Sequence, residues 1–195
     1  VLTFVMFTVW GFVKSFMNRP PGDYETEVCD IRLKDKKYDE ALEAANIALE
    51  KTPNHRGAVM CKALVFISQK KYSEANEELT NLINFLKKNV KEDDRTGIGT
   101  LAAAYANRGI IKDRNKNYEE ALQDYIKALG IDHVAVAGPG LGTIILNYKF
   151  KSSSVRERAL YLNEQLQLPE NERVLSIEEL DEGQEIGRAS CRERV

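Results

Sequence analysis

The sequence is poor in cysteine and histidine, with three cysteines and two histidines in 195 residues. Cys29 and Cys61 are 32 residues apart, and the two histidines, His55 and His133, are 78 residues apart. Metal sites need closer ligands, and small secreted disulfide scaffolds need more cysteines. We therefore expect no metal, and we interpret Cys29 and Cys61 as small buried residues on two helices.

An excess of positive charge is also missing, since 28 basic residues face 30 acidic ones. This balance argues against nucleic acid as a partner. The serines at 152–154 lack the G-x-S-x-G elbow of hydrolases, and the glycine-rich stretch at 138–142 lacks the strand, helix and lysine of a phosphate loop. We expect neither an enzyme nor a cofactor.

One long apolar run is present, at residues 1–17, with Lys14 near its end. A membrane helix needs about 20 such residues, so we interpret 1–17 as a partial transmembrane anchor and 18–22 as a proline-rich juxtamembrane linker. A signal peptide and a buried soluble helix are the alternatives, although no small-residue cleavage pattern follows the run. Lys14 and Arg19 favour a cytoplasmic domain, but one flank alone leaves the side of the membrane open.

A tyrosine-to-alanine signature occurs three times, at Tyr38–Ala41, Tyr72–Ala75 and Tyr118–Ala121. The first two copies are 34 residues apart. Each copy is followed by small and apolar residues at helical spacing, which predicts a helix that packs closely on its neighbours. A period of this length is typical of stacked helical hairpins that present a surface to proteins or peptides.

On these residues the chain resembles the tetratricopeptide repeat family, with units at 22–55, 56–89 and 102–135. The small residue that the family carries in its first helix is then Cys29, Ala63 or Gly109. The resemblance implies an all-α fold: a short α-solenoid of about three helical hairpins followed by a C-terminal capping helix. It also implies a concave groove for a protein partner.

The rest of the chain is divided as follows. An insertion at 90–101 is either a loop on the binding face or a longer second helix that ends in a solvated loop. We expect residues 136–153 to form a loop and 154–168 to form the capping helix, which a capping box opens and Pro169 ends. Residues 169–184 are an acidic tail, and 185–195 resemble a translated sequencing adapter.

The resemblance also implies which first-helix residues line the groove. The family version that grips a C-terminal carboxylate has Lys and Asn where this chain has Thr26 and Asp30, so that clamp is not expected. The apolar centre suits an amphipathic partner helix, unless the capping helix itself fills the groove. Arg108 and Asp124 are expected to form a structural ion pair. The groove residues are Thr26, Asp30, Leu33, Met60, Leu64, Ile67, Ala106, Ile110 and Asp113.

These features together favour a protein-interaction adaptor or scaffold, anchored to a membrane that we expect to be a bacterial inner membrane. An alternative is an accessory repeat module of a larger enzyme or of a secretion or assembly component. A purely structural role in self-assembly through open repeat faces is a third possibility. The amino-acid pattern does not identify the partner.

Overall fold

A computed structural model describes residues 2–17, 19–131 and 155–176 of the chain. All regular structure in these ranges is helical, which confirms the predicted all-α class for the described residues. A short 3-10 turn, Glu170–Glu172, follows the last helix. The α-helices are α1 (Leu2–Met17), α2 (Asp23–Lys34), α3 (Tyr38–Lys51), α4 (Arg56–Ser68), α5 (Tyr72–Asn89), α6 (Arg95–Arg114), α7 (Tyr118–Ile131) and α8 (Val155–Leu166).

Six of these helices form three consecutive hairpins, α2–α3, α4–α5 and α6–α7. Each helix from α2 to α7 packs against the next one in the chain. The first helices of neighbouring hairpins also meet, because α2 packs on α4 and α4 packs on α6. Buried apolar side chains from all three hairpins form a continuous core. The first helices therefore form one row, and the second helices lie beside it.

The turn inside each hairpin has the same backbone conformation. Lys36, Lys70 and Lys116 have φ angles of 59°, 60° and 65°, in the left-handed region. After α2, the amide of Lys37 donates to the carbonyl of Arg32 at 2.8 Å, and equivalent bonds close the other two turns. This is the Schellman ending of a helix, in which glycine usually occupies the left-handed position. Because all three positions are lysine, no glycine marks the motif in the sequence.

Small residues fill the seam between the two helices of each hairpin. The signature alanines Ala41, Ala75 and Ala121 are fully buried. Opposite Ala121 lies Gly109, where an added Cβ atom would come within 2.6 Å of the Tyr125 ring and 3.3 Å of the Ala121 carbonyl oxygen. Helix α6 can therefore approach α7 this closely only with glycine at position 109.

The predicted insertion at 90–101 is mostly helical. Helix α6 begins at Arg95, seven residues before the predicted start of the third unit, and α5 extends to Asn89. Asp94 begins α6 by accepting a hydrogen bond from the Gly97 amide at 2.8 Å. The insertion thus lengthens α6 at its start and leaves 90–94 as the connection from α5.

The interpretation of the two cysteines as separate small residues is wrong in one respect. Both are buried, as expected, with exposed fractions of 0% and 1%. However, Cys29 and Cys61 form a disulfide whose Cα atoms are 6.4 Å apart. The two residues lie on the first helices of adjacent hairpins, and the packing of α2 on α4 brings them together. Sequence spacing alone could not show this proximity.

Helix α8 (Val155–Leu166) lies within the segment 154–168 that we interpreted as a capping helix. It packs on α7, and Ala159 and Leu162 join a second core cluster with Ile110 and Tyr125. Ser154 of the capping box, the loop predicted at 136–153 and the segment 185–195 lie outside the described residues. Of the acidic tail, 169–176 is described.

Helix α1 is an apolar helix that precedes the hairpins. Its residues Phe4, Phe7 and Trp10 are 73%, 71% and 61% exposed. Among the helices of the described ranges, none combines the length and the apolar character needed to cross a bilayer.

Candidate partner-binding surface

The residues predicted to line a groove lie along the row formed by α2, α4 and α6. Eight of them are buried in the structure, and Asp30 is partly exposed. At the centre of the row, Met60 and Leu64 are each 3% exposed. A partner can therefore contact most of these side chains only if the chain's own residues that cover them move. The prediction that a partner binds at these residues stays a prediction.

At the start of the row, Thr26 belongs to a local hydrogen-bond network. Its hydroxyl donates to the Gly22 carbonyl at 2.9 Å. Nearby, His55 accepts a hydrogen bond from the Ala58 amide through Nδ1, so Nε2 carries the proton and donates to Asp23 at 2.7 Å. His55 thus caps α4 and ties it to the start of α2.

A charged cluster joins α6 and α7 beside the row. Arg108 donates two hydrogen bonds to the Asp124 carboxylate, at 2.8 and 2.9 Å, so the predicted ion pair is confirmed. The Lys112 ammonium lies 2.9 Å from the same carboxylate. Burial acts to raise the pKa of Asp124, but the hydrogen bonds from Arg108 and Lys112 outweigh it and hold that pKa below its ordinary value. Arg108 also donates to the Thr80 hydroxyl on α5 at 3.1 Å, so the cluster is tied to the second hairpin as well.

The second hairpin has an ion pair at the equivalent place. There Lys62 on α4 lies 2.6 Å from Glu78 on α5. Both residues precede Arg108 and Asp124 by 46 positions, which is also the distance between Tyr72 and Tyr118. Each pair holds the two helices of its hairpin in register, so these charges have a structural role.

At the end of the row, other residues of the chain bind the carboxylate of the predicted groove residue Asp113. Its carboxylate accepts two hydrogen bonds of 2.7 Å from Arg158 on α8. The Tyr125 hydroxyl donates to the same carboxylate at 3.0 Å. The Arg158 side chain is fully buried. Sequence reasoning missed Arg158, because nothing in a helical pattern distinguishes a buried arginine from a solvated one.

The exposed surface beside the row begins on α2. Glu27 and Lys34 are exposed and Asp30 is partly exposed. The spacing of three and four residues places them on one face of the helix. On the other helix of the hairpin, Glu43 and Glu50 are exposed. Within the first hairpin, a partner that approaches α2 therefore first meets mixed charge, and one that approaches this face of α3 meets Glu43 and Glu50.

Within the described ranges, no group of three or more His, Cys, Asp or Glu side chains could hold a metal ion. No family model matches the chain, and no curated protein shows significant similarity to it.

Proposed function

We propose that this chain is a tetratricopeptide-like interaction module, an α-solenoid of three hairpins with a capping helix, that is tethered to a membrane by its N-terminal segment. Its partner is a protein or peptide. Its activity is to serve as a membrane-bound scaffold or adaptor for that partner. The observation that carries the proposal is the equivalence of the three hairpins. They share a left-handed lysine at the turn, a buried alanine after the signature tyrosine and a row of packed first helices.

The tether is supported by the surface of α1. Phe4, Phe7 and Trp10 are large apolar side chains that the rest of the chain leaves mostly exposed. Exposed apolar surface on this scale favours burial in lipid or against another protein. Aromatic residues such as Trp10 are also typical of membrane interfaces. A bacterial inner membrane is the proposed location.

The tether is tested by flotation of the full chain with phospholipid vesicles, next to a version that lacks residues 1–17. The full chain should float with the vesicles and resist alkaline extraction, and the shortened chain should remain in the soluble fraction. As a matched control, Phe4→Ala/Phe7→Ala/Trp10→Ala should weaken flotation without changing the thermal unfolding of the hairpins. Equal flotation of all versions would refute the tether.

The partner surface is tested at exposed positions, because Met60→Glu or Leu64→Glu would place a carboxylate in the core. A photo-reactive amino acid is introduced at Glu27 or Lys34, and at Glu43 or Glu50 as the control on the other helix. Cross-linking is done in membranes, and the adducts are identified by mass spectrometry. We expect a discrete adduct from position 27 or 34 and none from position 43 or 50.

Charge reversal provides the second measurement on the partner surface. Glu27→Lys and Lys34→Glu should weaken capture of the cross-linked partner, whereas Glu43→Lys should not. All three sites are exposed, so the fold should tolerate each change within about 0.5 kcal/mol. A partner that cross-links equally from both helices, or from neither, would contradict binding along the row.

A further inference from the structure

The disulfide between Cys29 and Cys61 gives information about the compartment in which the hairpins fold. It joins α2 to α4, the first helices of two adjacent hairpins. The bond therefore fixes the packing between repeats and does not close a local turn. Its Cα separation of 6.4 Å lies within the range that disulfides adopt without movement of the backbone.

Other roles for the two cysteines have less support. A metal site would need further ligands, and the described residues contain no suitable group of three. A reactive thiol would need to be accessible to its target. Cys29 and Cys61 are 0% and 1% exposed, so neither sulfur can be reached from solvent in the folded protein. A buried cross-link between two packed helices is typical of a structural disulfide.

We propose that the Cys29–Cys61 bond is a permanent structural cross-link, and that the hairpins fold on the oxidising, non-cytoplasmic side of the membrane. Disulfides persist in the periplasm and outside the cell, whereas cytosolic thiols are kept reduced. The location of the hairpins outside the cytoplasm does not depend on the tether, whereas their position beside a membrane rests on the proposed function. The hairpins then lie on the side of the membrane opposite to the one that Lys14 and Arg19 favour.

Formation of the bond requires an oxidant, which we assign to the class of thiol–disulfide oxidoreductases. One cysteine thiolate attacks the oxidant's disulfide, which forms a mixed disulfide and releases one oxidant sulfur as a thiol. The second cysteine thiolate then attacks the first cysteine's sulfur, and the other oxidant sulfur leaves as a thiol. The two cysteines lose two electrons and two protons in total, and the oxidant's disulfide is reduced to a dithiol. Because both sulfurs are buried afterwards, this exchange must precede the final packing of α2 on α4.

The first experiment measures the thiol state inside bacterial cells that produce the full chain with Cys191→Ser, so that Cys29 and Cys61 are the only thiols. The cells are quenched with acid, and the protein is labelled with a polyethylene-glycol maleimide before or after reduction. We expect no gel shift before reduction and a shift by two labels after it. A shift by two labels without reduction would overturn the proposal.

The second experiment locates the hairpins with a protease added to cells whose outer envelope is open and whose inner membrane is intact. Digestion supports the proposal, and protection overturns it. Membrane fractionation of the same cells tests the proposed tether separately from the disulfide inference. Protein in the membrane with reduced thiols would preserve the tether and overturn the disulfide inference, whereas soluble protein with oxidised thiols would do the reverse.

The third measurement tests the structural role in the purified protein. Dithiothreitol should lower the urea midpoint of the Cys191→Ser protein and leave that of Cys29→Ala/Cys61→Ala/Cys191→Ser unchanged. An unchanged midpoint in the first protein would overturn the structural role. If the triple variant fails to fold, the shift in the first protein still decides the question.

Discussion

Arg158 on α8 binds Asp113 on α6 through two hydrogen bonds of 2.7 Å, and both side chains are buried. Helix α8 is thus held to the last hairpin by an ion pair as well as by apolar contacts. A buried pair has a large desolvation cost, so its two members depend strongly on each other. Its geometry fixes where α8 lies on α6 and α7.

The first prediction concerns this pair. Arg158→Ala removes the guanidinium that faces the buried Asp113 carboxylate, and it should lower the free energy of unfolding by about 3–5 kcal/mol. Urea denaturation measures the change. Arg156→Ala is the matched control, because Arg156 is exposed on the same helix and its loss should cost less than about 0.5 kcal/mol. The apolar pair Asp113→Leu/Arg158→Met should recover much of the loss. Equal effects of Arg158→Ala and Arg156→Ala would refute the structural role of the pair.

The second prediction compares two glycines of α6. Gly109→Ala places a Cβ atom against the buried Tyr125 ring and should cost about 1–3 kcal/mol, and Gly109→Leu should unfold the array. At Gly99, by contrast, a Cβ atom would have open space around it within the described part of the chain. Gly99→Ala should therefore stabilise the helix by about 0.5–1 kcal/mol. Thermal unfolding, followed by circular dichroism, distinguishes the loss of stability expected for Gly109→Ala from the gain expected for Gly99→Ala. A folded, stable Gly109→Leu protein would contradict the repeat register.

The third prediction concerns the left-handed lysines. Lys70→Gly removes the steric cost of a side chain at a φ of 60° and should raise the free energy of unfolding by up to about 1 kcal/mol. Lys87 is exposed within the following helix α5, so Lys87→Gly should instead lower the free energy of unfolding by up to about 1 kcal/mol. Chemical denaturation compares the two lysine-to-glycine changes. A loss of stability in Lys70→Gly would show that the turn does not adopt this conformation.

The fourth prediction concerns acid. The folded-state pKa of Asp124 lies below its ordinary value of 3.8, because the bonds from Arg108 and Lys112 outweigh the effect of burial. A lowered carboxyl pKa contributes stability that is fully present above the unfolded pKa and is lost as pH falls through the folded pKa. The free energy of unfolding should therefore decline below about pH 4.

Asp124→Asn tests the assignment of this acid dependence. The variant should be less stable than the unmodified chain at pH 7, by about 3 kcal/mol, since it leaves two cations without their carboxylate. It should also lose part of the decline below about pH 4. Glu43→Gln, at an exposed position of α3, should keep the full decline. An unchanged acid profile in Asp124→Asn would assign the decline to other carboxylates.

Much of the fold could be predicted from local sequence. The tyrosine-to-alanine signature and its helical spacing located α3, α5 and α7, and small residues such as Gly109 marked the seams. These signals are strong because close helix packing tolerates only small side chains at those positions. Arg108 and Asp124 could also be paired from the sequence, because the hairpin register places them opposite each other.

The remaining features depend on contacts between residues that are far apart in the chain. The Cys29–Cys61 disulfide requires α2 to pack on α4, and the burial of Arg158 requires α8 to lie on the last hairpin. Neither has a local pattern, because a lone cysteine or arginine on a helix has the same spacing whether it is buried or solvated. The sequence by itself thus determined the helices and their repeat. Only the tertiary structure decided which side chains are buried or paired, since burial depends on how separate helices pack together.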